Sequence, residues 1–203
     1  GNVTIREANN IDVNRFLINN PTVGGSHSIT TTNGSINLVA SPTGFGSQIA
    51  AIIAPVTTLT FDANGASADI AIDNLIRSNV AGPVGTLNVI LRADRHVTFG
   101  TTANVLTGGS ATVIADDAAG NNGGAITMTG GSILNLSGVA NLTADGNVAL
   151  TVVQTIAANT ITVTSTSGAI TDNNGGSYNL RTDTGAIVLS AVTGINLDSM
   201  VLN

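Results

Sequence analysis

The sequence predicts an all-β fold, a right-handed parallel β-helix (β-solenoid) of about eight coils, and three observations carry that expectation. The first is a motif, Gly-x-apolar-x-apolar, that returns at nearly constant spacing. It reads Gly124-Ala125-Ile126-Thr127-Met128, Gly146-Asn147-Val148-Ala149-Leu150, Gly168-Ala169-Ile170-Thr171 and Gly185-Ala186-Ile187-Val188-Leu189, at intervals of 22, 22 and 17 residues. A glycine reaches backbone conformations that other residues adopt only with strain, and alternating apolar residues put every second side chain on one face, so each copy reads as a turn feeding a half-buried strand. One such strand cannot bury its apolar face alone. Copies stacked about 4.8 Å apart can, and the crossovers between parallel strands favour the right-handed sense.

The second observation is composition. Charged residues are 9% and aromatics 2% of the 203 residues, there is no lysine, and Glu7 is the one glutamate. Lysine and glutamate coat the helices of ordinary globular proteins, so their scarcity argues against helix. Thr, Val and Ile favour strands, and Gly and Asn favour turns. Mean hydropathy is positive, which separates the chain from disordered polar sequences. The third observation is a second marker, Gly-Gly-Ser followed by an apolar residue, at Gly24-Gly25-Ser26, Gly108-Gly109-Ser110 and Gly175-Gly176-Ser177, with a variant at Gly130-Gly131-Ser132.

Taken in order, Val3-Thr4-Ile5, Ile11-Asp12-Val13 and Phe16-Leu17-Ile18 form three short strands and one coil. Ile29, Ile36 and Leu38 continue the pattern around Thr30-Thr31-Thr32-Asn33-Gly34. From Ser41 to Pro55 the chain turns richer in Ala and Ile, as in Gln48 to Ala54, and this is the one stretch where a short helical turn or a looped insertion is reasonable. Leu59-Thr60-Phe61 and Ile70-Ala71-Ile72 restore alternation across the Asp62-Ala63-Asn64-Gly65 turn. Asn74 to Gly82 runs to Pro83, and Gly85-Thr86-Leu87-Asn88-Val89 is a further copy of the motif. Val97-Thr98-Phe99, Val105-Leu106 and Val113-Ile114 follow. Ala115 to Gly123 is the longest polar interruption and reads as a surface loop leaving the solenoid. Residues 1–203 are thus read as a single solenoid segment, with coils of about 25 residues and most regular from about Gly124 onward.

Net charge is −6, and the six arginines (Arg6, Arg15, Arg77, Arg92, Arg95, Arg181) are scattered. No basic patch is available to neutralise phosphates, so nucleic acid is not an expected partner. No apolar run approaches the ~18 residues of a membrane helix. Zero cysteines exclude disulfides and thiolate metal sites. The chain opens and closes inside the repeat pattern, at Gly1-Asn2-Val3-Thr4-Ile5 and Gly194-Ile195-Asn196-Leu197, which raises the expectation of a segment of a longer repetitive chain or of a polymerising unit.

The phrase from Ile156 to Asp172 (Ile-Ala-Ala-Asn-Thr-Ile-Thr-Val-Thr-Ser-Thr-Ser-Gly-Ala-Ile-Thr-Asp) resembles the repeats of filamentous-haemagglutinin-like bacterial exoproteins, large surface adhesins often exported by the two-partner route. Gly185-Ala186-Ile187-Val188-Leu189 with Gly194-Ile195-Asn196-Leu197-Asp198 is similar to the continuation found in such repeats. The resemblance is good from about Gly124 onward and looser before it. It carries no catalytic motif. It implies a β-helical shaft, secretion to the cell surface, and a role in adhesion, biofilm or an extracellular fibre.

Asp94-Arg95-His96, preceded by Arg92, is the densest polar cluster. A polysaccharide-acting β-helix enzyme needs carboxylates and a basic residue on one face, which this cluster would supply if Asp69, Asp73 or Asp117 lay beside it. The plainer reading is a charged surface turn. Asp116-Asp117 and Asp172-Asn173-Asn174-Gly175 carry oxygens that calcium could use, but neither fits a calcium-repeat or EF-hand pattern, and Asx turns explain both. Asn2, Asn33, Asn135 and Asn141 stand in Asn-x-Ser/Thr sequons, as chance alone provides in so Asn- and Thr-rich a chain. Phe16, Phe45, Phe61, Phe99 and Tyr178 form no stripe on which a sugar would stack and read mainly as core fillers. No catalytic, cofactor or metal residue is therefore assigned, and no cofactor is expected. The expected function is a non-enzymatic, stiff shaft that stacks end to end with copies of itself or neighbouring repeats, with low charge allowing side-by-side packing. A polysaccharide-acting enzyme and a module binding a host receptor or glycan are the alternatives.

Overall fold

Alternation of apolar and polar residues fixes the side each residue faces, and the computed structural model shows where those sides meet. It describes residues 2–19, 24–40, 48–52, 56–78, 86–117, 123–198 and 200–202. Among these, the chain turns through three eight-stranded sheets in rotation, and every strand pairs in parallel with the strand three further along. The first sheet holds Val3–Glu7, Ser26–Thr31, Thr57–Ala63, Leu87–Ala93, Ala111–Ala115, Ala140–Ala144, Ile161–Ser165 and Ile187–Ala191. The second holds Ile11–Val13, Ile36–Leu38, Ile70–Ile72, Val97–Phe99, Ile126–Met128, Val148–Leu150, Ala169–Asp172 and Gly194–Asn196. The third holds Phe16–Asn19, Gln48–Ile52, Leu75–Ser78, Asn104–Thr107, Ile133–Leu136, Val152–Thr155, Leu180–Thr182 and Met200–Leu202. This is a parallel β-helix of eight coils.

Register carries the inward side chains into continuous columns. In the first sheet Ile5, Ile29, Phe61, Leu91, Val113, Leu142, Val163 and Leu189 stand in line, at steps of 24, 32, 30, 22, 29, 21 and 26 residues. The second sheet lines up Ile11, Ile36, Ile70, Val97, Ile126, Val148, Ile170 and Ile195. The third lines up Phe16, Ile49, Ile76, Val105, Leu134, Val153, Leu180 and Met200. From the second to the seventh coil these residues are buried; Phe61 is the largest of them, and Phe99, in line with Ile72 and Met128 beside the second column, is fully enclosed as well, as core fillers should be. The strands keep their register while the corners between them absorb the variation in coil length.

Three expectations need correction. Gln48–Ile52 is a strand, not a helical turn or insertion, because Ile49 is buried in the column between Phe16 and Ile76 and that stacking outweighs the helix propensity of the neighbouring alanines. Residues 41–47 and 53–55, with Phe45, lie outside the described residues, as do 118–122 of the polar interruption. Gly124, Gly146 and Gly168 head successive strands of the second sheet, but Gly185 heads a strand of the first, and the true continuation is Gly194. The Gly-Gly-Ser marker likewise falls before two sheets: Ser26 and Ser110 stand at the first, Ser132 and Ser177 at the third.

The third correction concerns what the repeat glycines do. Those at 124, 146, 168 and 185 are not left-handed; among them and Gly194, only Gly194 has a positive φ, of 139°. A Cβ on Gly124 would press into the Arg95 carbonyl and stand 2.6 Å from the Asp116 nitrogen, and one on Gly146 would stand 2.7 Å from the Gly123 carbonyl oxygen. Their requirement is the close approach of one coil to the next.

Polar groups at the corners are placed to cap main-chain atoms that the turns leave open. The buried Asn74 Nδ2 donates to the Asn14 and Val39 carbonyls, each at 3.1 Å, tying three coils together. Thr107 Oγ1 donates to the Leu87 carbonyl, and Asn179 Nδ2 to that of Leu150 at 3.0 Å. Such bonds matter because an unmet buried main-chain group costs as much as a lost hydrogen bond. His27 is the exception inside a column. It lies between Val3 and Leu59, edge-on to Phe16 with ring centroids 6.4 Å apart, and its Nδ1 has no hydrogen-bond partner among the described residues. Burial holds its pKa below the ordinary histidine value, which favours the neutral ring.

Candidate functional site

Asp94, Arg95 and His96 form the corner between the first-sheet strand Leu87–Ala93 and the second-sheet strand Val97–Phe99. One coil below, Ala63 to Ile70 makes the equivalent corner, since Ala93 registers with Ala63 and Val97 with Ile70. Stacking therefore sets Asp69 beside Arg95. The guanidinium grips the carboxylate with both arms of its fork, Nε to Oδ1 at 2.8 Å and Nη2 to Oδ2 at 2.5 Å. Asp69 Oδ1 also accepts from the His96 main-chain N–H at 3.0 Å, and Asp69 donates its own N–H to Ser35 Oγ at 3.0 Å. The remaining members serve the same corner. Asp94 Oδ2 accepts from the Gly65 N–H at 2.7 Å, and His96 Nδ1 accepts from the Ala125 N–H at 3.0 Å, one coil above.

The electrostatics follow from these contacts. Burial pushes the Asp69 carboxyl up, but the Arg95 hydrogen bonds, the His96 N–H and the Arg95 charge outweigh it and carry the pKa below the ordinary carboxylate value. Arg95 is correspondingly held on its charged side by Asp69. Asp69 beside Arg95 and His96 is part of what a polysaccharide-acting enzyme would require. Yet a carboxylate ionised by its partner is a poor general acid, and both of its oxygens already accept hydrogen bonds. His96 Nδ1 is occupied by a main-chain donor. The group works chemically as a clasp across three coils.

Arg92 points outward from the first sheet and is exposed, and Asp73 and Asp117 are exposed as well. Among the described residues the Arg95–Asp69 contact is the one ion pair, so neither of these two acids joins the cluster through a salt bridge. Asp116 has a φ of 69°, which an aspartate tolerates, and its N–H donates to the Ala93 carbonyl at 2.9 Å. At Asp172 the side chain closes a turn: Oδ1 accepts from the Asn174 N–H at 3.0 Å and from Asn179 Nδ2 at 2.7 Å. The Asn179 amide first and the Asn174 N–H second lower its pKa. These contacts are those of an Asx turn, and no group of three or more His, Asp or Glu side chains among the described residues is placed to hold a metal ion.

Of the sequon asparagines, Asn2 and Asn33 are exposed, while Asn135 and Asn141 lie half-buried in strands. Tyr178 is half-buried on the outside rather than in the core, and its hydroxyl donates to Gln154 Oε1 at 3.0 Å. Gln154, with Asn135 and Arg181, lines a polar depression that sequence reasoning missed.

The fold and these contacts define a class, a parallel β-helix whose corners are fastened by polar side chains. Compared with protein-family models, with curated proteins and with solved structures, the chain matches none.

Replacing Asp69 by Asn keeps an acceptor for the His96 N–H and removes the charge that Arg95 needs. A loss of about 1 kcal/mol is expected, small because Arg95 is 38% exposed and water screens the pair. The pH dependence has a definite sign. A carboxylate whose pKa is depressed by folding contributes fully above its unfolded value, near about 4, and that contribution is lost as pH falls through the folded value. Urea titrations from neutral pH into acid should show a smaller loss of stability below about pH 4 for Asp69→Asn than for the parent chain.

Proposed function

We propose that this chain is a non-enzymatic structural segment of a secreted bacterial adhesin or extracellular fibre, acting as a stiff shaft. The observation that carries the reading is the continuity of three inward columns and three parallel sheets through all eight coils. A rod held by main-chain ladders and interlocked columns along its whole length resists bending at every coil. The corner clasps add to this, since Asn74 and the Asp69–Arg95–His96 group each fasten more than two coils. Secretion and adhesion are supported by the resemblance to filamentous-haemagglutinin-like repeats and by a surface of Thr, Asn and Ser with few charges.

End-to-end stacking is part of the same proposal. Val3, Ile5, Ile195 and Met200 belong to the inward columns yet are 42%, 36%, 48% and 53% exposed in the outermost coils. Further coils, of the same chain or of a second copy, would bury them and pair the strand edges beside them. Electron microscopy of dilute, unfixed protein tests this. Filaments much longer than the roughly 40 Å of eight stacked coils are expected from the native assembly, and isolated rods of that length alone would overturn the stacking.

A further inference from the structure

The outer face of the third sheet carries a ladder that no run of sequence displays. Register places Asn135, Gln154 and Arg181 directly above one another in three successive coils. They line a depression of about 210 Å³ together with Thr155, Ile156 and Asp183. Several of its polar groups are unspent. Neither the Asn135 amide nor the Arg181 guanidinium has a hydrogen bond or ion pair among the described residues. Tyr178 donates its hydroxyl to Gln154 Oε1, and Gln154 Nε2 makes no hydrogen bond among the described residues. Asp183 Oδ2 accepts a long, 3.3 Å bond from the Ala157 N–H and keeps its other oxygen as an acceptor. Ile156, 48% exposed, supplies an apolar wall.

Charge and hydrogen-bond polarity narrow the ligand. Amide and guanidinium donors next to a carboxylate acceptor suit groups that both give and accept hydrogen bonds. A hydroxyl does both. A carboxylate or phosphate would pair with Arg181 but be opposed by Asp183, and an ammonium would pair with Asp183 but be opposed by Arg181, so the mixed lining favours neither charge and suits a neutral group best. An apolar wall beside polar groups suits a ring with C–H faces and hydroxyl edges. The volume lies below the ~300 Å³ at which pockets for drug-sized ligands begin, which leaves room for a single ring.

We infer that this depression is a binding site for one neutral sugar unit of a glycan, held by Asn135, Gln154, Arg181 and Asp183 and packed on Ile156. The inference is independent of the shaft reading, because a rod carries the same depression whether or not its ends are occupied. Placing a sugar site on the flank also leaves both ends of the rod free to stack.

Saturation-transfer NMR on the whole 203-residue chain tests it, with the methyl glycosides of glucose, galactose, mannose and N-acetylglucosamine as probes. At least one should bind saturably. Arg181→Ala and Asp183→Asn should each weaken that binding about tenfold, and Arg92→Ala, exposed on another sheet, should not. Circular dichroism controls for folding. Arg181→Lys, which keeps the charge and stem and loses the planar fork, should weaken binding too. Absence of saturable transfer from all four glycosides overturns the inference. So does binding that survives both substitutions, or glucuronate or glucosamine bound more tightly than the neutral sugars.

Discussion

Phe61→Ala lowers the stability of the rod by about 3–5 kcal/mol, the range for emptying a fully enclosed aromatic site. Phe61 is 0% exposed and lies between Ile29 below and Leu91 above, in the longest strand pairings of the first sheet. Its neighbours are held in register by ladders on both sides, so they have little freedom to collapse into the space. Ile5→Ala is the comparison. Ile5 occupies the same column in the outermost coil and is 36% exposed, so truncating it to alanine should cost about 1–2 kcal/mol, well below the loss at Phe61. Urea unfolding at fixed pH gives both numbers. Amide exchange should show where the loss falls, because in a stacked repeat a defect acts first on the coils that touch it. Equal losses at the two positions would mean that the column is not packed as a continuous core.

How legible the fold was depended on which residues recur locally. Gly124, Gly146 and Gly168 head strands of one sheet in coils of equal length, so their 22-residue spacing is the coil itself. The same motif at Gly185 misled because a glycine followed by alternating apolar residues describes a turn before any strand, whichever sheet that strand joins. Gln48–Ile52 misled for a related reason: its alanines read as helix locally, and only the column above and below Ile49 decides for strand. The Asp94–Arg95–His96 corner was legible as a cluster because its members are consecutive. Its clasp on Asp69 became visible only when stacking set the two corners one above the other. The ladder of Asn135, Gln154 and Arg181 was not legible at all. Its steps are 19 and 27 residues, unequal because the corners differ in length, so no fixed period links its members.

The glycines themselves decide between two physical accounts of the repeat, and the structure predicts opposite results for two of them. If their role were conformational freedom, alanine would be harmful wherever a glycine stands in a turn. Gly124 is not left-handed, and its environment is main chain: the Arg95 carbonyl from the coil below and the Asp116 nitrogen of its own corner lie where a Cβ would go. Main-chain atoms in a ladder have no rotamer through which to yield. Gly124→Ala should therefore cost about 1–3 kcal/mol and also loosen the corner of which Arg95 is part. Gly130 also lacks a positive φ, but nothing lies within 4 Å of its missing Cβ. There alanine narrows the unfolded ensemble and meets no obstacle, so Gly130→Ala should be neutral or stabilise by up to about 1 kcal/mol. Thermal or urea unfolding of the two variants separates the accounts. Close stacking requires a large loss at Gly124 and none at Gly130, and similar losses at both would return the repeat glycines to a conformational role.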